Sequence, residues 1–219
     1  MSITRALQLY LFSLIFLIPY SYLYLDIPIA RYFIENKEHY EALGDLISIG
    51  GESHWYIGTA IIGYLFFRYY KPNEALKMRF LTLLYVNLFS GLASLLLKHI
   101  FGRMRPWGLR DNGDEYGFLL FGSFDAGFME KFKIHFATLA EAPTTFTSFP
   151  SGHTTTLFAV ATYLSLLFPK RMWLWVILAA LCASARLLDS DHFLSDLLAG
   201  TAVGTLSTLY IYSKMRSKL

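Results

Sequence analysis

The chain has 219 residues, enough for one compact domain. Its hydrophobic fraction of 55% and mean hydropathy of +0.42 exceed what an ordinary soluble domain carries, so the bilayer is the expected solvent. A net charge of +3 from dispersed lysines and arginines excludes a nucleic-acid surface, and a single cysteine, Cys182, excludes an internal disulfide.

The apolar residues fall into long blocks, and the 19 phenylalanines and 15 tyrosines suit a protein with two water-lipid boundaries. Residues 6–25, preceded by Arg5, are long enough to cross the hydrocarbon layer and are read as a retained first span rather than a cleaved signal. Residues 26–53 are mixed, with a short amphipathic stretch at 27–34 followed by ENKEHYEALGD, and belong in water or at the headgroups. A second span covers about 55–67, after a bend marked by Gly50 and Gly51. RYYKPNEALKMR is a polar turn and residues 80–100 form the third span.

Residues 101–150 are polar, with apolar clusters too short to cross, and form the long loop outside the membrane. A fourth span runs from the PSGH segment to Phe168, a fifth over about 173–188 and a sixth over 193–212. The expected fold is therefore all-α: one membrane-embedded domain over 1–219, a polytopic bundle of about six transmembrane helices with its long loop between the third and fourth. Arg5, the 68–79 turn, Lys170 with Arg171, and the tail with Lys214, Arg216 and Lys218 share one side, which the positive-inside rule makes cytoplasmic. Both termini then lie in the cytoplasm, and the polar chemistry faces the other way.

Three distant segments end at that outer boundary. In KHIFGRMRP, Lys98 supplies a point charge and Arg105 a planar fork, both suited to phosphate oxygens, whereas Arg103 falls outside that spacing and reads as a headgroup contact. In FPSGHTTT, the free N–H groups of a helix start at Ser151 and Gly152 form an anion site, and His153 is placed to give a proton to a departing oxygen. In ARLLDSDHFLSDLLAG, Arg186 adds a third cation, and Asp196 follows His192 at the i, i+4 spacing that stacks two side chains on one helical face. Asp196 then holds one imidazole nitrogen and leaves the other free to attack. Asp189 and Asp191, in the turn itself, read as solvated.

Together these segments resemble the type 2 phosphatidic acid phosphatase (PAP2) superfamily, in the lipid-phosphatase branch of integral membrane proteins. The family pattern K-x6-RP, PSGH, SR-x5-H-x3-D is matched by Lys98 to Arg105-Pro106, by Pro150 to His153, and by Arg186, His192 and Asp196. The departure is Ala185 where the family usually has serine, which removes one hydroxyl contact near the phosphate. The resemblance implies a six-helix bundle, no metal and no cofactor, and a two-step reaction. His192 attacks phosphorus, His153 protonates the leaving oxygen, Lys98, Arg105, Arg186 and the Ser151-Gly152 turn bind the phosphate, and water cleaves the phosphohistidine. The expected partners are the bilayer and a lipid phosphate, with no obligatory protein partner and no nucleic acid. Phosphatidylglycerophosphate, phosphatidic acid, undecaprenyl pyrophosphate and lipid A phosphates all fit, at the periplasmic face of a bacterial inner membrane. The alternatives are a phosphotransferase of the same superfamily and a non-catalytic transporter that keeps the anion site; the soluble vanadate haloperoxidases of the superfamily lack such spans.

Overall fold

The protein is described by a computed structural model over residues 3–109, 117–119, 128–142 and 144–219. Among the described residues the regular structure is helical and holds no strand; a lone antiparallel bridge pairs Arg103 with Phe118. The helices are α1 (Ile3–Tyr20), α2 (Asp26–Glu35), α3 (Lys37–Ser48), α4 (Ser53–Leu65), α5 (Glu74–Phe101), α6 (Phe128–Glu141), α7 (Gly152–Leu167), α8 (Met172–Leu188) and α9 (Leu194–Met215). Helix α6 lies within the stretch expected from the sequence to form the long loop outside the membrane, and α2 and α3 make the 26–53 segment helical. Part of the 101–150 loop lies outside the described residues.

Local chemistry sets the boundaries. Helix α5 begins where Asn73 accepts the Leu76 N–H (2.9 Å) and ends at Gly102, whose φ of +56° is left-handed and whose N–H returns to the Lys98 carbonyl. It therefore starts six residues, more than one and a half turns, before the expected third span, inside the polar turn. Helix α1 carries Pro19 and passes into a π-turn, Ser21–Leu25, before α2, so the first apolar block continues as one long helical run. By length and composition the segments Leu7–Glu35, Glu74–Phe101, Pro169–Leu188 and Leu194–Lys218 are long and apolar enough to cross a membrane. The shorter α4 and α7 pack among them, so the chain is a polytopic all-α bundle.

Helix α7 is the centre of this bundle and is buried along most of its length, against α5, α8 and α9. Its contact with α9 is backbone against backbone. A Cβ on Gly200 would lie 2.7 Å from the Ser151 carbonyl, and one on Gly204 would overlap the Thr155 carbonyl. Hydroxyls hold the seam: Thr162 pairs with Thr205 at 3.2 Å and Thr208 donates to the Ala159 carbonyl at 3.0 Å. In hydrocarbon, where burying apolar surface gains little, small residues and such hydroxyl bonds carry helix association.

At the outer end a buried charge cluster ties distant elements together. The Arg103 guanidinium is fully buried and pairs with Asp26 of α2 at 2.7 Å and with Asp196 of α9 at 2.5 Å. It also donates to Ser195 Oγ at 2.6 Å and lies over the ring of Phe193, 4.3 Å from its centroid. Asp26 in turn accepts from the Ser195 N–H, the Ser195 hydroxyl and Ser21. Two expectations from sequence are corrected here: Arg103 is a core residue rather than a headgroup contact, and Asp26 is buried rather than in water. A buried charge is held only where partners satisfy it, and each of these carboxylates has Arg103 and hydroxyl donors.

Two stability outcomes follow. Gly204→Val forces α7 away from α9, since the obstacle is backbone, and should cost about 1–3 kcal/mol of stability. Arg103→Met strands two buried carboxylates and should cost about 3–5 kcal/mol. Unfolding of purified protein in detergent measures both, and an unchanged thermal midpoint for either variant would contradict this packing.

Candidate active site

Three chain segments meet above the ends of α5, α7 and α8. After α5, residues 103–105 run beside residues 145–148, joined by the Arg105 N–H to the Thr145 carbonyl (2.9 Å) and the Ser148 N–H to the Arg103 carbonyl (3.0 Å). Lys98, in the last turn of α5, donates from Nζ to the Thr147 carbonyl. This pairing brings the K-x6-RP segment against the chain that leads into α7.

Ser151 is the N-cap of α7: its hydroxyl accepts from the Thr154 N–H at 3.4 Å and from the Thr154 hydroxyl at 3.1 Å, while its own N–H donates to the Asp196 carbonyl at 3.0 Å. The start of α7 is thereby fixed to the start of α9. Gly152 is the first helical residue, and a Cβ there would stand 3.7 Å from Lys98 Cε, so the free amides of this turn and the lysine share one space. His153 follows, with Nε2 3.3 Å from the Glu52 carboxylate, which lies just before α4.

Arg186 sits in the last turn of α8. Its guanidinium pairs with Asp189 at 3.1 Å and with Asp191, and Arg105 reaches Asp191 at 3.4 Å. The two aspartates read as solvated in the sequence are thus counter-ions. Asp189 is packed against Gly44 of α3, and burial pushes its carboxyl up to about 6. Asp191 links the two arginines. The turn closes through Ser190 at φ +57° and the His192 N–H bonded to the Arg186 carbonyl (3.2 Å).

His192 and Asp196 meet by a different route from the expected stacking on one helix. Helix α9 begins at Leu194, so His192 stands before it, and Asp196 folds back as a capping carboxylate that accepts the Phe193 N–H at 2.9 Å. The distance from His192 Nδ1 to Asp196 Oδ2 is 3.6 Å, too long for a hydrogen bond. Ser148 bridges the gap, with Oγ 2.6 Å from Asp196 Oδ2 and 3.3 Å from His192 Nδ1. Burial, reinforced by the nearby cations Lys98 and Arg105, pushes the His192 imidazole down to about 3, so it is neutral near pH 7. Nε2 is the nitrogen left free of this contact.

The structure therefore brings together all eight residues singled out from sequence: Lys98 beside the Gly152-His153 turn, Ser151 bound to Asp196, and Arg105 with Arg186 around Asp191. Lys98 lies within electrostatic reach of Arg105, Arg186, Asp191 and Asp196. Ser148, Glu52, Arg103 and Asp26 were missed. One signal was available: Asp26 is an ionisable residue within an otherwise apolar block, the pattern that marks a buried functional charge in a membrane protein. Ser148 and Glu52 carry no such mark, since a serine and a glutamate in polar segments are unremarkable.

Comparison with known proteins gives the family of the chain. The PAP2 superfamily matches residues 79–218. The chain is 32% identical over 172 residues to a lipid A 1-phosphatase of Rhizobium johnstonii, covering 74% of this chain and 62% of that protein. It is 31% identical over 223 residues to a lipid A 1-phosphatase of Rhizobium etli, covering 94% and 85%. A lipid A 4′-phosphatase of Porphyromonas gingivalis is 28% identical over 168 residues, covering 69% and 57%. No solved structure matches the chain. A family match over more than half of the sequence, containing every segment of the site except Glu52 and Asp26, establishes that this chain belongs to the PAP2 superfamily.

Proposed function

We propose that this chain is a membrane lipid phosphatase that removes a phosphate from a lipid A-type headgroup through a phosphohistidine on His192. One observation carries the reading: a buried, neutral imidazole faces Ser148 and Asp196 through Nδ1 and sits beside Lys98 and Arg105. The relatives act, by name, on the 1- and 4′-phosphates of lipid A, which points to this class among the lipid phosphates that the motifs allow.

In this reading Lys98, Arg105 and Arg186 and the N–H groups of the Ser151-Gly152 turn hold the phosphate oxygens. The substrate phosphate takes over the arginine forks now shared with Asp191. His192 Nε2 attacks phosphorus, forming a P–N bond as the bond to the lipid oxygen breaks, and His153 gives that oxygen its proton. Asp196, through Ser148, stabilises the charge that develops on the imidazole. Water activated by His153 then cleaves the P–N bond, releasing inorganic phosphate and restoring both histidines. No step requires a metal, and the basic residues at the other end of the bundle support a site facing the periplasm of a bacterial inner membrane, with both termini cytoplasmic.

The decisive assay is phosphate release from a panel of lipid A, phosphatidylglycerophosphate, phosphatidic acid and undecaprenyl pyrophosphate by purified protein in detergent containing chelator. Wild type should release phosphate from lipid A, and His192→Ala should lower turnover by about 10³-fold or more with the fold intact. Loss of activity in chelator would overturn the metal-free mechanism, and transfer of label to an acceptor lipid without free phosphate would favour a phosphotransferase. Ser148→Ala should lower kcat by about 10- to 100-fold with little change in KM, the range seen when a supporting partner is removed.

The depressed His192 value also has a sign. The unfolded imidazole binds a proton below about 6.5 while the folded one stays neutral down to about 3, so stability is complete above 6.5 and is lost progressively as pH falls between these values. His192→Gln should flatten this part of the stability-pH curve, and an unchanged slope would contradict a buried neutral imidazole.

A further inference from the structure

The carboxylate of Glu52 lies between two histidines. Its Oε1 is 3.3 Å from Nε2 of His153, and its Oε2 is 3.5 Å from Nδ1 of the exposed His54. A carboxylate only accepts, so the first contact puts a proton on His153 Nε2 and leaves Nδ1 as the nitrogen for a substrate. Glu52 is the N-cap of α4, with extended backbone (φ −70°, ψ 118°), yet its side chain caps no amide of that helix. The turn before it, Ile49–Gly51, is held in place by the Tyr56 hydroxyl, which donates to the Gly50 carbonyl at 2.6 Å, and by the Glu52 N–H, which donates to the Ile49 carbonyl at 3.3 Å. Gly51 then lies against the imidazole: a Cβ there would stand 2.7 Å from His153 Cδ2, so the turn approaches the ring closely because it has no side chain.

As an ion pair this contact adds little to stability, because the Glu52 side chain is 45% exposed and that of His153 is 26% exposed. Its chemical effect is larger. His153 is within electrostatic reach of Arg186 and Asp191 as well as Glu52, and Lys98 lines the same cavity. Both cations oppose a charged imidazole, and Asp191 is shared between Arg105 and Arg186. Glu52 is the carboxylate in direct contact with the ring, and it stands outside the residues that the superfamily matches. We propose that Glu52 is a positioning residue for the acid–base step: by holding Nε2–H of His153 it orients the ring and offsets the charge of the imidazolium that serves as acid. Nδ1–H gives its proton to the lipid oxygen as the P–O bond breaks, and Nδ1 takes one from water as water displaces the P–N bond. Glu52 stays ionised and keeps Nε2–H throughout. This role rests on the lipid-phosphatase reading above and adds the group through which the acid is set.

The test compares wild type, Glu52→Gln, His153→Ala and the double variant in detergent. Lipid A parts with a sugar oxygen that needs a proton, whereas p-nitrophenyl phosphate releases a phenolate that departs without one. Glu52→Gln should lower kcat/KM on lipid A by about 10- to 100-fold, carried by kcat with KM within about threefold. On p-nitrophenyl phosphate the same variant should keep kcat/KM within about twofold, which also shows that the fold and the phosphate site are intact. In the His153→Ala background, Glu52→Gln should lower the remaining lipid A turnover by less than about twofold, since its partner is already gone. Unchanged lipid A turnover in Glu52→Gln, equal losses on both substrates, a loss carried by KM, or a further tenfold loss in the His153→Ala background would each overturn the role. If wild type turns over neither substrate, the phosphatase reading itself fails, and this role with it.

Discussion

The arrangement depends on the burial of Arg103. Its guanidinium stands where α2, the segment after α5 and the start of α9 converge, and it is shared between Asp26 and Asp196. Of the two carboxylates, Asp196 has the second task, because its other oxygen meets Ser148 and the Phe193 N–H beside His192. Arg103 therefore holds the carboxylate that meets the His192 imidazole through Ser148. Aromatic rings of Tyr22, Phe118 and Phe193 around the guanidinium keep water out of the pairing.

Around that anchor, groups that cap helices also build the site. Ser151 caps α7, and its N–H donates to the Asp196 carbonyl, so the first-turn amides of α7 and the start of α9 are tied together. The close seam of Gly200 and Gly204 against α7 holds the same two helix starts together from below. On the opposite side Asp191 pairs with both Arg105 and Arg186 and holds the two guanidiniums beside each other. In the proposed reaction, preorganised charge of this kind would stabilise the transferring phosphoryl group.

Much of this was legible in the sequence, because hydropathy and motif spacing are local signals. The apolar blocks gave the helical bundle, and Lys98, Arg105, Ser151, Gly152, His153, Arg186, His192 and Asp196 converge as their spacing implies. The failures share a physical origin. Whether Arg103 faces lipid or core depends on Asp26, a residue 77 positions away, and no periodicity encodes that pairing. The i, i+4 rule assumed that His192 was already helical, whereas the Asp196 cap starts the helix after it, and the space between them is filled by Ser148 from another segment. Asp189 and Asp191 looked exposed because turns usually are, but this turn is roofed by α3 and by the arginines.

The central claim is that His192 itself carries the phosphate between lipid and water. Rapid quenching of the purified protein during turnover of phosphate-labelled lipid A, followed by mass spectrometry under alkaline conditions that preserve phosphohistidine, measures this directly. The account predicts phosphate on the peptide containing His192, at Nε2, appearing and decaying at rates that match phosphate release. Label on any other residue, or full turnover with no covalent phosphate at any time, would contradict it.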